Sequence, residues 1–370
     1  MKNIKKNFQQ YFKNFFYKVL SLFTGRIKGK IKSENDSRIS VKKIEKEKKL
    51  VYKIFNISNG RLYTDRIHDT AVILDDHIVE GPSHQLRPIN NAKVEENIVF
   101  KKGTPRKKRE LKGVTLSLLT GGAGNDNYFH WMFDVLPRLA LSEEVIKSSK
   151  IDFFLIPSSD QKFQSETLKL LDIPKNKILS SKIYRHISSN ELIITDHPYC
   201  VSNDATNDIQ KIPIWISQWL KNKFLRNEKK NFNYPKKIYI DRGDSKSNTK
   251  YLRSIVNEPE IKNFLKAEGF ELIKLGHLSF SEQVGIFSKA EIIVGLHGAG
   301  FANLCFCKEN TKILELKNKT AGKMYENLAV TNKLIYKSIS GESENLRSKN
   351  QFGHITISLD DLKKEIKNFE

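Results

Sequence analysis

The chain has 370 residues, 39% hydrophobic and 29% charged, with 64 Lys+Arg against 42 Asp+Glu for a net charge of +22. That length allows two domains with separate cores. Three cysteines, Cys200, Cys305 and Cys307, cannot all pair internally and match no zinc spacing, which excludes a disulfide scaffold and fits buried free thiols in a reducing cytoplasm.

Half of the excess charge lies in residues 1–50, which hold 15 Lys+Arg against 4 Asp+Glu, or +11. Within this arm Phe8, Tyr11, Phe12, Phe15, Phe16, Val19, Leu20, Leu22 and Phe23 recur every three to four residues, with Lys13, Lys18, Arg26, Lys28 and Lys30 between or after them. The pattern predicts a basic, aromatic amphipathic helix lying in the plane of an anionic membrane. The other reading is a helix packed on the protein's own core. The stretch is too interrupted by lysine to span a bilayer, which needs about 20 apolar residues, and it lacks a signal peptide's cleavage site. Residues 26–50 read as a charged linker. Short alternating runs follow, Val51-Tyr52-Lys53-Ile54-Phe55 and Ala71-Val72-Ile73-Leu74 among them, and predict β-strands between turns across residues 51–99. A second basic run, from Lys101 through Arg109, reads as a solvated loop or as a contact for a lipid phosphate or acidic glycan. Nucleic acid is not expected as a partner: no module for it appears, and the aromatics are not at base-stacking spacing.

The next segment runs from Gly121-Gly122-Ala123-Gly124 through Asn125-Asp126-Asn127 to Arg138. Asn125, Asp126 and Asn127 are helix-capping types, so a half-buried helix is predicted after them. On it His130 and Asp134, four apart, share a face. A carboxylate fixes an imidazole's tautomer and raises its basicity, as a general base requires; the other reading is a structural pair. Further on, residues 151–157 read as a strand, 165–171 and 212–225 as helices, and the polar run ending at Pro235 as an interdomain linker.

Residues 237–241 form a predicted strand with Arg242 at its C-terminal end, and Arg253 follows a polar loop. Asn257-Glu258-Pro259-Glu260 opens a helix that Gly269 stops, and 271–275 is the next strand. Ser279 and Glu282 form a capping box and receive no chemical role. The apolar run Ile292-Ile293-Val294 reads as a buried parallel strand, leading at once into Gly295, His297, Gly298, Ala299 and Gly300 and a helix start. Strand, glycine turn and helix place backbone N–H groups at a positive helix end where a phosphate can sit. Residues 312–316 and 334–339 are strands, with helices at 321–330 and 359–368. There is neither an Asp-x-Asp metal motif nor the Gly-x-Gly-x-x-Gly with a distant acid that a dinucleotide enzyme needs.

Taken together, Tyr128-Phe129-His130-Trp131 with Asp134 and Leu136-Pro137-Arg138, Asp241-Arg242, Arg253 with Asn257-Glu258, Gly269-Phe270, Ser279-Phe280 with Glu282-Gln283, and Gly295-Leu296-His297-Gly298-Ala299-Gly300 with Asn303 resemble glycosyltransferase family 61, across about half of the chain. One departure is Ser254, where the family often carries a second arginine after the position of Arg253. The resemblance implies an α/β, GT-B-like fold: two Rossmann-like domains facing a cleft, preceded by the basic amphipathic helix. The expected divisions are an arm and linker over 1–50, an acceptor-side domain over 51–228 and a nucleotide-sugar-binding domain over 235–370. It implies an inverting transfer of sugar from a nucleoside-diphosphate sugar to a hydroxyl of a glycan or lipid-linked glycan, in the bacterial members for capsular and extracellular polysaccharide. His130 or Asp134 would be the base. Arg242, Arg253, His297, Gly298, Ala299, Gly300 and Asn303 would hold the nucleotide-sugar, with Glu315 accepting from ribose hydroxyls. Asn127, Trp131 and Arg138 would lie on the acceptor side. No metal cofactor is expected, since fixed positive charge would serve the diphosphate, and the location expected is the cytoplasm, peripheral at the inner face of the plasma membrane. The competing class is a non-catalytic basic protein binding membrane or nucleic acid, which accounts for the charge and leaves the ordered motifs unexplained.

Overall fold

A computed structural model describes residues 8, 11–12, 15–16, 18–20, 22–24, 26–47, 49–66, 68–85, 93–119, 126–202, 204–227, 234–243, 253–343 and 353–369. The Gly121–Asn125 part of the capping segment, residues 229–233 of the expected linker and the loop before Arg253 lie outside them. The fold is mixed α/β, and internal contacts divide it into two units, Met1–Asp208 and Ile209–Glu370.

The N-terminal unit is built on an eleven-stranded sheet. In its parallel part, His186–Thr195, Arg109–Ser117, Phe153–Ile156 and Ile178–Ser180 lie side by side in that order. Its other part is largely antiparallel: His186–Thr195 also pairs with Leu50–Ser58 and Arg61–Thr64, followed outward by Asp69–Leu74 and His77–Val79. A Rossmann-like domain was expected over 51–228; four of its strands are parallel, and the antiparallel part is formed largely by the strands expected between turns across 51–99. The linker expected over 26–50 is also corrected. Gly29–Ile31 pairs with His77–Val79, and Ile39–Lys46 forms a hairpin with Leu50–Ser58. Ile39–Lys46 is exposed at most positions because it lies at the margin of the sheet, so its lysines and glutamate gave it a linker's composition. Phe55, Ile57, Leu62, Val72, Leu155, Ile187, Leu192 and Ile194 close the core beneath the sheet; each such side chain contributes about 1.5–3 kcal/mol by leaving water.

The helix expected after Asn127 is not regular. Tyr128–His130 makes one α-turn, Trp131–Val135 is π-helical, and Pro137–Ser142 resumes the α-helix. The wide turn is closed by the Leu136 N–H bonding the Trp131 carbonyl at 3.0 Å. Pro137 has no N–H to continue an α ladder, and its ring crowds the carbonyl four residues back.

The C-terminal unit carries a seven-stranded sheet ordered Arg253–Ile255, Gly353–Thr356, Ile335–Ser343, Lys312–Asn318, Ile292–Leu296, Lys237–Ile240, Glu271–Ile273. All neighbours are parallel except Ile335–Ser343 and Gly353–Thr356. With Arg253–Ile255 set apart at the far edge, the other five strands from Lys237 to Ser343 follow the doubly wound order 2-1-3-4-5, in which the direction of winding reverses between the first and third. Ile238, Tyr239, Ile293, Val294, Ile313 and Leu314 are fully or almost fully buried, as parallel strands covered on both faces require. Helix Ile214–Phe224 packs in this unit, where the Phe224 ring lies 4.8 Å from that of Phe280 and Asn332 bonds Ser217.

Candidate active site

The reversal of winding in the C-terminal sheet brings together the two strand ends singled out by sequence. Ile240 pairs with Gly295, so the chain leaves Lys237–Ile240 at Arg242 beside the point where Ile292–Leu296 turns at His297. Arg242 Nη1 donates to the His297 carbonyl at 3.0 Å, and Arg253 Nη1 donates to the same oxygen at 3.1 Å. Two guanidinium groups thus meet over one backbone carbonyl, at the start of the helix Ala299–Phe306. That helix is 3₁₀ in its eight residues, tighter than the α-turn expected. Burial pulls the Arg253 pKa down, with the charge of Arg242 acting in the same sense and Glu315 opposing it. Gly298 has φ 172, an extended backbone open to any residue, so space constrains it: a Cβ there would lie 2.9 Å from Arg242 Nη1. A Cβ at Gly300 would lie 2.8 Å from Leu275 Cδ1.

Behind this turn His297 is buried, its Nδ1 2.5 Å from Glu315 Oε1 and its ring 4.9 Å from that of Tyr325. The Tyr336 hydroxyl donates to Glu315 Oε2, and Lys317 Nζ stands 3.7 Å from the same oxygen. Glu315 is fully buried with both oxygens engaged, so the ribose contact expected of it is not available; it anchors His297 instead. Asn303 is equally buried and donates to Gln283, holding the helix to its neighbour rather than facing a ligand. His297 supports the turn, while Ala299 and Gly300 are half-buried at its mouth.

The N-terminal unit carries the second group. Asn127 caps the first turn of the irregular helix, accepting from the Phe129 N–H at 2.9 Å. His130 Nδ1 lies 2.9 Å from Asp134 Oδ2; the imidazole is 26% exposed and the carboxylate fully buried. Burial opposes the charged form of both, yet their mutual attraction prevails, so His130 is raised and Asp134 held well below the usual carboxylate range. Two residues expected on the acceptor side prove internal. Trp131 is fully buried with Nε1 on Thr167 Oγ1 at 2.9 Å. Arg138 is fully buried, its Nε donating to the Asp134 carbonyl at 3.0 Å and Nη1 to the Thr195 carbonyl at 2.9 Å. Burial lowers its pKa to about 10, which leaves it charged at neutral pH and close to Asp134 and Asp196.

Comparison with known proteins bears on this arrangement. The family model described as Glycosyltransferase 61 matches residues 128–314, half of the chain. The chain belongs to glycosyltransferase family 61. The matched segment of this family 61 chain contains His130, Asp134, Arg242, Arg253 and the turn from His297 to Gly300; Asn127 and Glu315 fall just outside it. The chain is also similar to the EGF domain-specific O-linked N-acetylglucosamine transferase of Gallus gallus, 34% identical over 82 residues, 21% of this chain. It spans 15% of the length of that relative.

One histidine beside Asp134 in this family 61 chain was missed by sequence reasoning. His197 lies 5% exposed with Nε2 3.7 Å from Asp134 Oδ2, and its Nδ1 accepts from the Tyr199 and Cys200 N–H groups at 3.3 and 3.1 Å. With Nδ1 an acceptor, the proton sits on Nε2 and faces the carboxylate. Burial lowers the His197 pKa and favours that neutral form. The signal available was its place in Asp196-His197-Pro198, just past the C-terminal end of a parallel strand, where open α/β sheets gather functional groups.

Proposed function

We propose that this protein is an inverting glycosyltransferase that moves a sugar from a nucleoside-diphosphate sugar to a hydroxyl of a glycan or lipid-linked glycan, in surface polysaccharide synthesis. The single observation that carries the reading is the convergence of Arg242 and Arg253 on the His297 carbonyl at the start of a helix. Paired guanidiniums and a positive helix end are suited to the charge that develops on a departing diphosphate. In this reading the C-terminal unit takes the donor and the N-terminal unit presents the acceptor and base, in a GT-B arrangement. His130 is the base because its ring reaches solvent while Asp134 does not. With Nδ1 held by Asp134, Nε2 takes the acceptor proton; the acceptor oxygen bonds the anomeric carbon as the bond from that carbon to the diphosphate oxygen breaks. Fixed positive charge serves the leaving group, and the reaction proceeds without metal.

The test is calorimetric titration with a panel of nucleoside diphosphates. Arg242→Ala and Arg253→Ala should each weaken binding by about 1.5–3 kcal/mol, the scale of a hydrogen bond to a charged group. Gly298→Ala should weaken it through displacement of Arg242. Unchanged affinity in all three variants would place the nucleotide elsewhere.

A further inference from the structure

The described residues of the N-terminal helix leave its aromatic stripe outside the fold. Phe8, Tyr11, Phe12, Phe15, Phe16, Leu22 and Phe23 are between 45% and 83% exposed, while Val19 and Leu20 of the same recurrence are half-buried. Phe12 and Phe16 rings lie 4.7 Å apart and Phe15 and Phe16 6.0 Å, so these three rings form one exposed apolar cluster. Apolar clusters of this kind on a soluble fold mark an interaction site. The reading in which the stripe packs on the protein's own core is not met by these side chains.

The root of the helix fixes what stands beside it. Thr24 accepts from Arg61 Nη1 at 2.8 Å through its carbonyl, and its hydroxyl bonds the buried Thr104 at 3.1 Å. Thr104 sits inside the second basic run, whose Lys101, Lys102, Arg106, Lys107, Lys108 and Arg109 are all exposed. Arg66 and Arg185 add positive charge next to Arg106. Four cations of the arm have carboxylate partners: Lys28 pairs with Asp76, Lys30 with Glu80 and Glu95, Arg38 with Asp36 and Asp75, and Lys46 with Glu144. Among the described residues, no carboxylate lies within 4 Å of Lys101, Lys102, Arg106 or Lys107. Among the described residues, these four exposed cations therefore lie in the run that Thr104 ties to Thr24, where the aromatic arm joins the fold.

We propose that the aromatic face of this helix and the Lys101–Arg109 loop form one docking surface for an anionic lipid bilayer. Rings that enter the boundary between head groups and acyl chains lose water, and the adjacent lysines and arginines meet lipid phosphates. Neither half suffices: the rings alone would take any bilayer, and the loop alone would be screened away by salt. This surface is independent of the transfer chemistry proposed above, and no helix among the described residues is long and apolar enough to cross a membrane.

Flotation of the full-length protein with vesicles tests it. Vesicles of phosphatidylcholine with one quarter phosphatidylglycerol should carry the protein at 50 mM salt and release most of it at 500 mM, while pure phosphatidylcholine should carry much less. Phe12→Ser with Phe15→Ser and Phe16→Ser should lower the partition constant by more than about tenfold. Charge reversal at Arg106 and Lys107 should lower binding to the anionic vesicles about fivefold per side chain and leave the weak binding to neutral vesicles as it was. Both variants should keep the melting temperature and the nucleotide affinity of the parent, since all five side chains are exposed. Equal flotation on both vesicle types, absence of flotation, or a concentration-dependent dimer that the phenylalanine variant abolishes would each overturn the proposal, the last by making the stripe an interface between copies.

Discussion

Asp134 is surrounded by several positive and donating groups. His130 bonds it, the Nε2–H of His197 and the Tyr199 hydroxyl face it, and the buried Arg138 stands behind its backbone. A fully buried carboxylate survives only with such company, and the arrangement leaves His130 as the member open to solvent. Asp134→Asn should therefore lower turnover by about 100- to 10,000-fold, the usual weight of a positioned general base, with the nucleotide affinity unchanged. The sign of its pH effect is fixed by the direction of the shift. His130 has a folded pKa above its ordinary value of about 6.5, so its pairing with Asp134 stabilises the fold fully below that pH and is lost as pH rises through the folded pKa. Melting curves between pH 5.5 and 8 should show this decline in the parent and not in Asp134→Asn, and NMR titration of the His130 ring should show its pKa falling in the variant. A histidine that titrates unchanged in Asp134→Asn would make the pair incidental.

The helices explain why the same residues were only partly legible beforehand. The i,i+4 spacing put His130 and Asp134 on one face, and the cap at Asn127 was readable from residue type, but the π-turn between them depends on a carbonyl that Pro137 cannot satisfy. Trp131 and Arg138 were placed on the acceptor side through the family resemblance, which does not tell a buried member of the motif from an exposed one, and both are fully buried. Pro137→Ala would restore a donor and allow an ordinary α-turn, rotating Asp134 relative to His130. The expected outcome is a melting temperature equal to or above the parent's with turnover reduced tenfold or more; unchanged turnover would separate the π-turn from function. Arg253–Ile255 was hidden for a different reason. It is three residues long and pairs with Gly353–Thr356, 100 residues away, so nothing local announces it, although that pairing helps carry Arg253 to the turn. Gly298 was noticed for access to phosphate, whereas its observed constraint is the Arg242 side chain packed against it.

At the scale of the molecule, the C-terminal unit was the more readable because its strand Ile292–Leu296 is an unbroken apolar run buried at every position. The N-terminal unit was obscured by the charge of Ile39–Lys46 at its margin, and His197 by the 63 residues of chain that separate it from Asp134. Charge also makes the last expectation specific. The turn at His297 gathers two guanidiniums and a helix N-terminus in one place, each of a kind suited to a phosphate oxygen. A diphosphate held this way already has the counter-charge that a divalent cation brings in other transferases. Nucleoside-diphosphate affinity and sugar transfer should both persist in excess EDTA, and added magnesium should change the affinity by less than about threefold, under 0.7 kcal/mol. Raising salt should weaken binding through screening of the exposed phosphates. Loss of transfer in EDTA with recovery in manganese would mean that Arg242 and Arg253 leave part of the diphosphate charge to a metal ion, and the fixed-charge account would have to be given up.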